Sequence, residues 1–139
     1  MTTGATLLVA DDDPVARDLL TEVLVRDGYR VRTAADGETC LQVATGEPVD
    51  LALVDLRMPG LDGLAVLRRL SAIQPGLRVV ILTAFGSIDT AIEAIRAGAY
   101  DYLSKPFRME EIRLVVRRAL EAQRLLRENR HYRTELRER

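Results

Sequence analysis

Five short apolar runs alternate along the chain with segments of helical periodicity, and this alternation limits the fold more than any other feature of the sequence. The predicted strands are Thr6 to Ala10, Tyr29 to Thr33, Leu51 to Val54, Val79 to Leu82 and Tyr100 to Ser104. Strand-sized apolar runs separated by helices are typical of a parallel sheet joined by right-handed crossovers. The pattern therefore predicts a doubly wound (βα)5 fold of the α/β class, with helices on both faces of the sheet.

Capping and breaking residues place the helices between these strands. The first helix is predicted from Pro14 to Arg26, because proline suits a first helical turn. The residues expected to face inward from it are Val15, Leu19, Leu20 and Val23. The candidate N-caps of the next three helices are Asp36, Asp62 and Ser87. A final helix begins after Pro106 and continues to Leu136 without glycine or proline.

Length and composition limit the classes of protein to which the chain can belong. With 139 residues and 47% hydrophobic composition, it is sized for one domain with a continuous core. Cys40 is the only cysteine, so no disulfide can form within the chain, and His131 is the only histidine. These counts argue against a zinc site built on several histidines and against a Ser-His-Asp triad. The longest apolar runs are strand-sized, so we expect a cytoplasmic protein without a membrane segment.

The charge is nearly balanced overall but differs between the body and the tail of the chain. The formal net charge is -1, residues 1–107 carry 10 basic and 15 acidic side chains, and residues 108–139 carry 10 basic and 6 acidic ones. Glutamates are interleaved with the arginines of the tail, so no block of positive charge forms. We therefore expect no direct binding of nucleic acid.

Polar groups stand where four of the predicted strands end. Asp11 and Asp12 follow the first strand, Asp55 the third, Thr83 the fourth and Lys105 the fifth. The carboxyl ends of parallel strands form the ligand crevice of such a sheet, so these side chains are expected to meet there.

Asp11 and Asp12 begin a run of three carboxylates whose last member, Asp13, is expected to cap the first helix. Like charges held this close oppose folding unless a cation neutralises them, and Mg²⁺ is the hard, oxygen-seeking ion that suits them. Beside such an ion, Asp55 has the chemistry of a carboxylate nucleophile that accepts a phosphoryl group. Lys105 is the only lysine among 20 basic residues. A compact ammonium of this kind can reach a phosphoryl oxygen, as can the hydroxyl of Thr83.

The motifs around these residues resemble the receiver (CheY-like) domain of two-component response regulators, over about residues 5 to 122. They are Val9 to Asp13, Asp55 to Gly63, Leu82 to Ala84 and Lys105 to Phe107. The resemblance implies a flavodoxin-like sheet of order 2-1-3-4-5 and a signalling switch that is phosphorylated by a sensor histidine kinase. It also implies that the domain is no enzyme acting on other molecules and catalyses only its own phosphorylation and dephosphorylation.

The resemblance assigns roles in the chemistry to individual residues. Asp55 would be the phosphoacceptor, and Thr83 and Lys105 would contact the phosphoryl group. The implied Mg²⁺ ligands are Asp12 directly, Asp11 mostly through water, Asp55, and Arg57 through its backbone carbonyl.

The resemblance also implies a conformational switch. Tyr102 matches the aromatic position that turns inward when Thr83 moves towards the phosphoryl group. The movement would alter the surface formed by the fourth helix, the fifth strand and the fifth helix, about Ser87 to Leu120, and through it a dimer.

The final helix also predicts a dimer, through a set of positions that we name the heptad seam. Its a and d positions are Ile112, Val115, Ala119, Ala122, Leu126, Asn129, Arg133 and Leu136. Apolar residues at the first five positions predict a short parallel coiled coil, and a solvated helix that frays is the alternative. Residues 1–122 are accordingly assigned to the receiver domain and residues 123–139 to a helical linker.

Residues 84–102 and 125–129 resemble NtrC-type activators of sigma-54 transcription, in which an AAA+ ATPase and a DNA-binding module follow the receiver. The sequence has no GxxxxGK[ST] phosphate loop, so we expect these output modules to be absent from it. A free-standing receiver that acts by protein contact or phosphorelay is the alternative. A phosphotransferase of the haloacid dehalogenase type is less favoured, because it needs an aspartate where Arg57 stands.

Overall fold

The structure, a computed structural model, describes residues 4–83 and 88–138, with side chains given for 4–83, 89–122 and 125. The elements in chain order are β1 Thr6–Ala10, α1 Pro14–Arg26, β2 Arg30–Ala34, α2 Gly37–Gly46, β3 Leu51–Asp55, α3 Gly63–Ile73, β4 Arg78–Thr83, α4 Ile88–Arg96, β5 Asp101–Ser104 and α5 Met109–Glu138. Every predicted strand and helix is present, and the strand ends differ from prediction by about one residue.

All neighbouring strands are parallel, in the order β2-β1-β3-β4-β5, which confirms the predicted topology. The predicted uninterrupted apolar run of β3 lies at the centre and is buried throughout, while the amphipathic β2 lies at an edge. The register aligns Ala10 with Val54, Asp55 with Leu82, and Thr83 with Ser104. Consecutive strand ends therefore lie side by side along one edge of the sheet.

Helices cover both faces of the sheet and form two hydrophobic clusters. One cluster contains residues of α2, α3 and α4, among them Cys40, Leu67 and Ala94. The other contains residues of α1 and α5, among them Leu20, Leu24, Ile112, Val116 and Ala119. Because the sheet is buried on both sides, its central strands are apolar except at their ends.

The prediction for the inward face of α1 was wrong for two of its four residues. Leu20 and Val23 are buried as expected, but Val15 is 76% exposed and Leu19 is 37% exposed. The buried row continues to Leu24 instead, so that its members are spaced i, i+3 and i+4. Leu19 is rotated by about 100° from Leu20 around the helix axis, and this places it at the border of the packed face.

Side-chain caps fix where the helices begin. The carboxylates of Asp13, Asp36 and Asp62 accept hydrogen bonds from the backbone N–H groups of Val15, Thr39 and Ala65, as the sequence predicted. The predicted cap Ser87 lies outside the described residues. No helix in the described part of the chain is both long and apolar enough to cross a bilayer.

The helix α5 continues to Glu138, close to the predicted end at Leu136, but the first part of the heptad seam is used within the domain. Ile112 and Ala119 are 0% exposed and pack against the sheet, with Val115 partly buried beside them. These positions face the core because α5 must cover the β1-β3-β4 surface together with α1. Ile112 and Ala119 are not accessible to a second chain, so a coiled coil can begin only after them.

Candidate functional site

Four strand ends bring the predicted site residues to one edge of the sheet. Asp11 directly follows β1, Asp55 ends β3, Thr83 ends β4 and Lys105 follows β5. The backbone N–H of Lys105 donates to the carbonyl oxygen of Thr83 over 2.8 Å, which holds the end of β5 beside β4. The crevice predicted from the topology is therefore present.

Three carboxylates converge in this crevice. Asp11, Asp12 and Asp55 each offer an oxygen atom, and these atoms all lie within 4.8 Å of one another. Asp11 is 0% exposed and Asp55 5% exposed, whereas Asp12 faces solvent. Asp11 Oδ2 is buried and has no partner of hydrogen-bond geometry among the described residues, only a charge contact with Lys105 Nζ at 3.0 Å. A hard divalent cation with oxygen ligands fits this donor set, because it would satisfy the buried oxygen and offset the clustered negative charge.

Lys105 lies between two of these carboxylates. Its Nζ atom is 3.0 Å from Asp55 Oδ2 and 3.0 Å from Asp11 Oδ2, and it also donates to Asp11 Oδ1 over 3.3 Å. Desolvation by burial tends to lower the pKa of the Lys105 ammonium, but hydrogen bonds and charge attraction from Asp11 and Asp55 outweigh it and raise that pKa. Lys105 is therefore protonated at neutral pH and partly neutralises the acidic cluster.

Burial dominates the electrostatics of Asp11. Desolvation raises the pKa of its carboxyl group, and the neighbouring Asp55 adds to the rise. Hydrogen bonds from the backbone N–H of Asp13 and from Lys105 act in the opposite direction without reversing it. A carboxylate with a raised pKa in a cleft is characteristic of functional sites, because its charge is needed there despite the cost of burying it.

Backbone contacts fix the two loops that carry the carboxylates. Arg17 Nη1 donates to the carbonyl oxygen of Asp11 over 2.8 Å, from the second turn of α1. The backbone N–H of Arg57 donates to Asp55 Oδ1 over 3.1 Å. Asp55 thus has one carboxylate oxygen held by its own loop and the other directed at Lys105.

A cleft of about 380 Å³ opens above the carboxylates. Its lining includes Asp12, Asp55, Leu56, Arg57, Asp62, Leu64, Thr90 and Lys105. The sequence had not placed Asp62, Leu64 or Thr90 at the site. Asp62 was recognised only as a helix cap, and nothing in the spacing of Thr90 indicates that the first turn of α4 reaches the same cleft. Arg17 was also missed, since a lone arginine in a helix resembles any surface residue.

For three predicted residues, the structure gives the position but does not test the predicted role. Thr83 is 2% exposed at the end of β4, one strand away from Asp55. Arg57 lines the cleft. Tyr102 is 43% exposed in β5, so its ring lies at the surface in this conformation. Their contributions to metal binding and switching stay predictions.

The sequence and the fold are both similar to known proteins. The family model described as the response regulator receiver domain matches residues 7–117. Regulatory protein AtoC of Escherichia coli is 35% identical over 94% of this chain but only 28% of its own length. Sporulation initiation phosphotransferase F of Bacillus subtilis is 40% identical over 82% of this chain and 92% of its own length. The chain thus spans less than a third of AtoC but nearly all of the phosphotransferase.

Solved structures give the same result. The receiver domain of NtrX from Brucella abortus has a TM-score of 0.80 and 40% identity, covering 83% of this chain and 98% of that one. A longer NtrX structure has a TM-score of 0.90 and 39% identity, covering 94% of this chain and 30% of that one. With the match over residues 7–117, these similarities show that the chain belongs to the family of response regulator receiver domains, which act as phosphorylation-dependent switches.

Proposed function

We propose that Asp55 accepts a phosphoryl group from a phosphohistidine of a sensor kinase. An Asp55 carboxylate oxygen forms the new P–O bond, the P–N bond of the donor breaks, and the imidazole leaves with the bonding electron pair and takes up a proton. When bound, Mg²⁺ neutralises the negative charge on the phosphoryl oxygens and on the carboxylates. Asp11, Asp12, Asp55 and the backbone carbonyl of Arg57 are the groups that would hold it.

The remaining site residues act on the phosphoryl group. Lys105 is held beside Asp55 and offers a protonated ammonium that can move from Asp11 to a phosphoryl oxygen. Thr83 offers a hydroxyl at the next strand end. Catalysis here consists of positioning and charge stabilisation, which these groups supply without a separate general base.

The single observation that most supports this assignment is the pairing of Asp55 with Lys105. Asp55 is 5% exposed, with Oδ2 3.0 Å from Lys105 Nζ and two further carboxylates within reach of a shared cation. A carboxylate that served only to pair with Lys105 would not need two additional buried or adjacent acids. The set is explained if a cation and an anionic group both enter the cleft.

Mass measurement of the intact protein tests the proposal. With Mg²⁺ and acetyl phosphate, the protein should gain one phosphoryl group that hydroxylamine removes, and Asp55→Asn should gain none. Asp62→Asn is the matched control, because it removes a carboxylate that lines the same cleft and keeps a side chain able to cap α3. An unmodified parent protein, or equal loss in both variants, would rule out Asp55 as the acceptor.

We propose further that phosphorylation controls a homodimer. The α4-β5-α5 face exposes large apolar side chains, namely Ile92, Ile95, Tyr102 and Leu114. Exposed apolar residues on adjacent elements can form an interaction surface. Movement of Thr83 and Tyr102 would alter this face, and the dimer would pass the signal to AAA+ and DNA-binding modules beyond residues 1–139. This action belongs in the cytoplasm, where the sensor kinase presents its phosphohistidine.

A second candidate is a receiver that passes the phosphoryl group to another protein. The similarity to sporulation initiation phosphotransferase F over 92% of that protein favours it. In that case residues 123–139 are dispensable, and the dimer is not needed for function. Leu126→Asp distinguishes the two candidates, because it should leave phosphorylation unchanged in both but should affect association only in the first.

A further inference from the structure

Two helices of this domain begin with the same pair of residues, an aspartate followed by a glycine. Asp36 precedes Gly37 at the start of α2, and Asp62 precedes Gly63 at the start of α3. Both glycines are buried, and neither has a positive φ angle. Backbone conformation therefore does not explain why either position is a glycine. The explanation must lie in the limited space around each Cα atom.

The two glycines differ in what a Cβ atom would meet. At Gly37 it would lie 2.8 Å from Val66 Cγ2 and 3.0 Å from Leu61 Cβ, both of them side-chain atoms, and 3.2 Å from the Leu61 carbonyl oxygen. At Gly63 it would lie 2.6 Å from Leu56 Cα, 2.7 Å from the Asp55 carbonyl oxygen and 3.1 Å from the Leu56 backbone nitrogen. At Gly37 the only contact shorter than 3.0 Å is with a methyl group of the Val66 side chain, which can shift. At Gly63 both contacts shorter than 3.0 Å are with backbone atoms at the end of β3, which must shift as a unit.

The backbone against Gly63 is the segment that fixes the Asp55 carboxylate. The N–H of Gly63 donates to the Leu56 carbonyl oxygen over 3.0 Å, and the N–H of Leu56 donates to Leu82 of β4 over 3.1 Å. The next amide, that of Arg57, donates to Asp55 Oδ1 over 3.1 Å. A shift of the Asp55–Leu56 peptide therefore changes the position of the carboxylate relative to Asp11 and Lys105.

We propose that Gly63 is a positioning residue for Asp55. Its missing Cβ allows the first turn of α3 to pack against the Asp55–Leu56 peptide, and this packing fixes the orientation of the Asp55 carboxylate. The proposal rests on the function proposed for Asp55. Gly63 is not among the described residues that line the cleft and would act only through the end of β3.

The test compares Gly63→Ala with Gly37→Ala in the full chain. Both add one methyl group at the first residue of a helix, after an aspartate cap. Mg²⁺ affinity is measured by calorimetry, and the rate of phosphorylation by acetyl phosphate is measured at saturating Mg²⁺, both at a temperature where each variant is folded. Gly63→Ala should weaken Mg²⁺ binding at least about tenfold and slow phosphorylation by a similar factor, as loss of a support behind a ligand does. Gly37→Ala should remain within about twofold of the parent.

A readout without metal separates positioning from a loss of stability. The amide resonance of Arg57 reports its hydrogen bond to Asp55 Oδ1 in the metal-free protein. It should shift in Gly63→Ala and not in Gly37→Ala. Normal Mg²⁺ binding by a folded Gly63→Ala protein, or equal losses in both variants, would overturn the proposal. A parent that neither binds Mg²⁺ nor is phosphorylated would instead refute the function proposed for Asp55.

A milder pair of variants decides the question if Gly63→Ala does not fold. Asp62→Ala loosens the first turn of α3 by removing its cap, while Asp62→Ser removes the same charge and retains a capping oxygen. Asp62→Ala should bind Mg²⁺ more weakly than Asp62→Ser by at least about threefold, since only it loosens the contact on β3. Asp36→Ala and Asp36→Ser at the other helix should bind equally. No difference between the Asp62 variants would count against the proposal.

Discussion

Asp11 shows how one buried group links folding to the chemistry of the site. Its carboxyl group has a raised pKa because burial disfavours the charge, and the nearby ammonium of Lys105 compensates only in part. Ionised Asp11 therefore destabilises the folded metal-free protein. A bound cation would remove this destabilisation. The same cost makes the site selective for a species that brings positive charge.

We predict a pH-dependent gain in stability when Asp11 is replaced by asparagine. The folded pKa lies above the ordinary value of 3.8, so the stability contributed by the protonated group is present below that value and is lost as pH rises through the folded pKa. Without metal, the Tm of Asp11→Asn should exceed that of the parent by a few degrees at about pH 7 and by little at about pH 4.

Thermal unfolding over this pH range, with and without Mg²⁺, provides the measurement. Mg²⁺ should raise the Tm of the parent more than that of Asp11→Asn, which lacks one of the three carboxylates. The control is Asp18→Asn, an exposed acid on α1, whose Tm should follow that of the parent at every pH. A difference between Asp11→Asn and the parent that stays constant with pH would contradict the assigned cause.

The site residues could be predicted from the sequence because the ends of the strands could be predicted. Asp11, Asp55, Thr83 and Lys105 each follow an apolar run, and the parallel topology then requires that they meet. Gly63 and Arg17 were not predictable as site residues, because their contribution is a contact with backbone atoms that only the folded chain brings near. Spacing along the sequence contains no information about what a Cβ atom would meet.

Helix α1 shows the limit of periodicity for predicting which face of an element is buried. A count of apolar residues gives two overlapping rows, one through Val15 and Leu19 and the other through Leu20 and Leu24. Both fit a helical repeat, and only the packing against α5 and the sheet selects the second. The apolar side chains of the first row remain exposed at the end of the helix nearest the site.

Truncation of two adjacent leucines should give very different losses of stability. Leu20 is 0% exposed and Leu19 is 37% exposed, so Leu20→Ala leaves a cavity between α1 and the sheet while Leu19→Ala does not. We expect Leu20→Ala to lower the free energy of unfolding by about 2–5 kcal/mol and Leu19→Ala by less than about 1 kcal/mol. Urea unfolding followed by circular dichroism measures both. Equal losses would mean that the packed face of α1 is not the one described.

The two parts of α5 have different roles in the molecule. Its first half closes the hydrophobic core through Ile112, Val116 and Ala119, and these three side chains cannot contact a partner at the same time. The helix then continues past the sheet to Glu138, beyond the residues that the domain needs for its core. A change in the α4-β5-α5 face, as proposed above, would act on the same helix that extends beyond the core. This continuity would give the switch a direct physical route along α5.

Two neighbouring leucines in the tail test whether that route includes a dimer. Leu126 occupies an a position of the heptad seam and Leu125 the adjacent g position, which only flanks the seam. Leu126→Asp should weaken self-association at least about tenfold, because it places a charge in the apolar seam, and Leu125→Asp should weaken it less. Sedimentation velocity over a concentration series, with and without Mg²⁺ and beryllofluoride as a phosphoryl mimic, measures this. A parent that is monomeric in every condition would eliminate the dimer and favour the phosphorelay alternative.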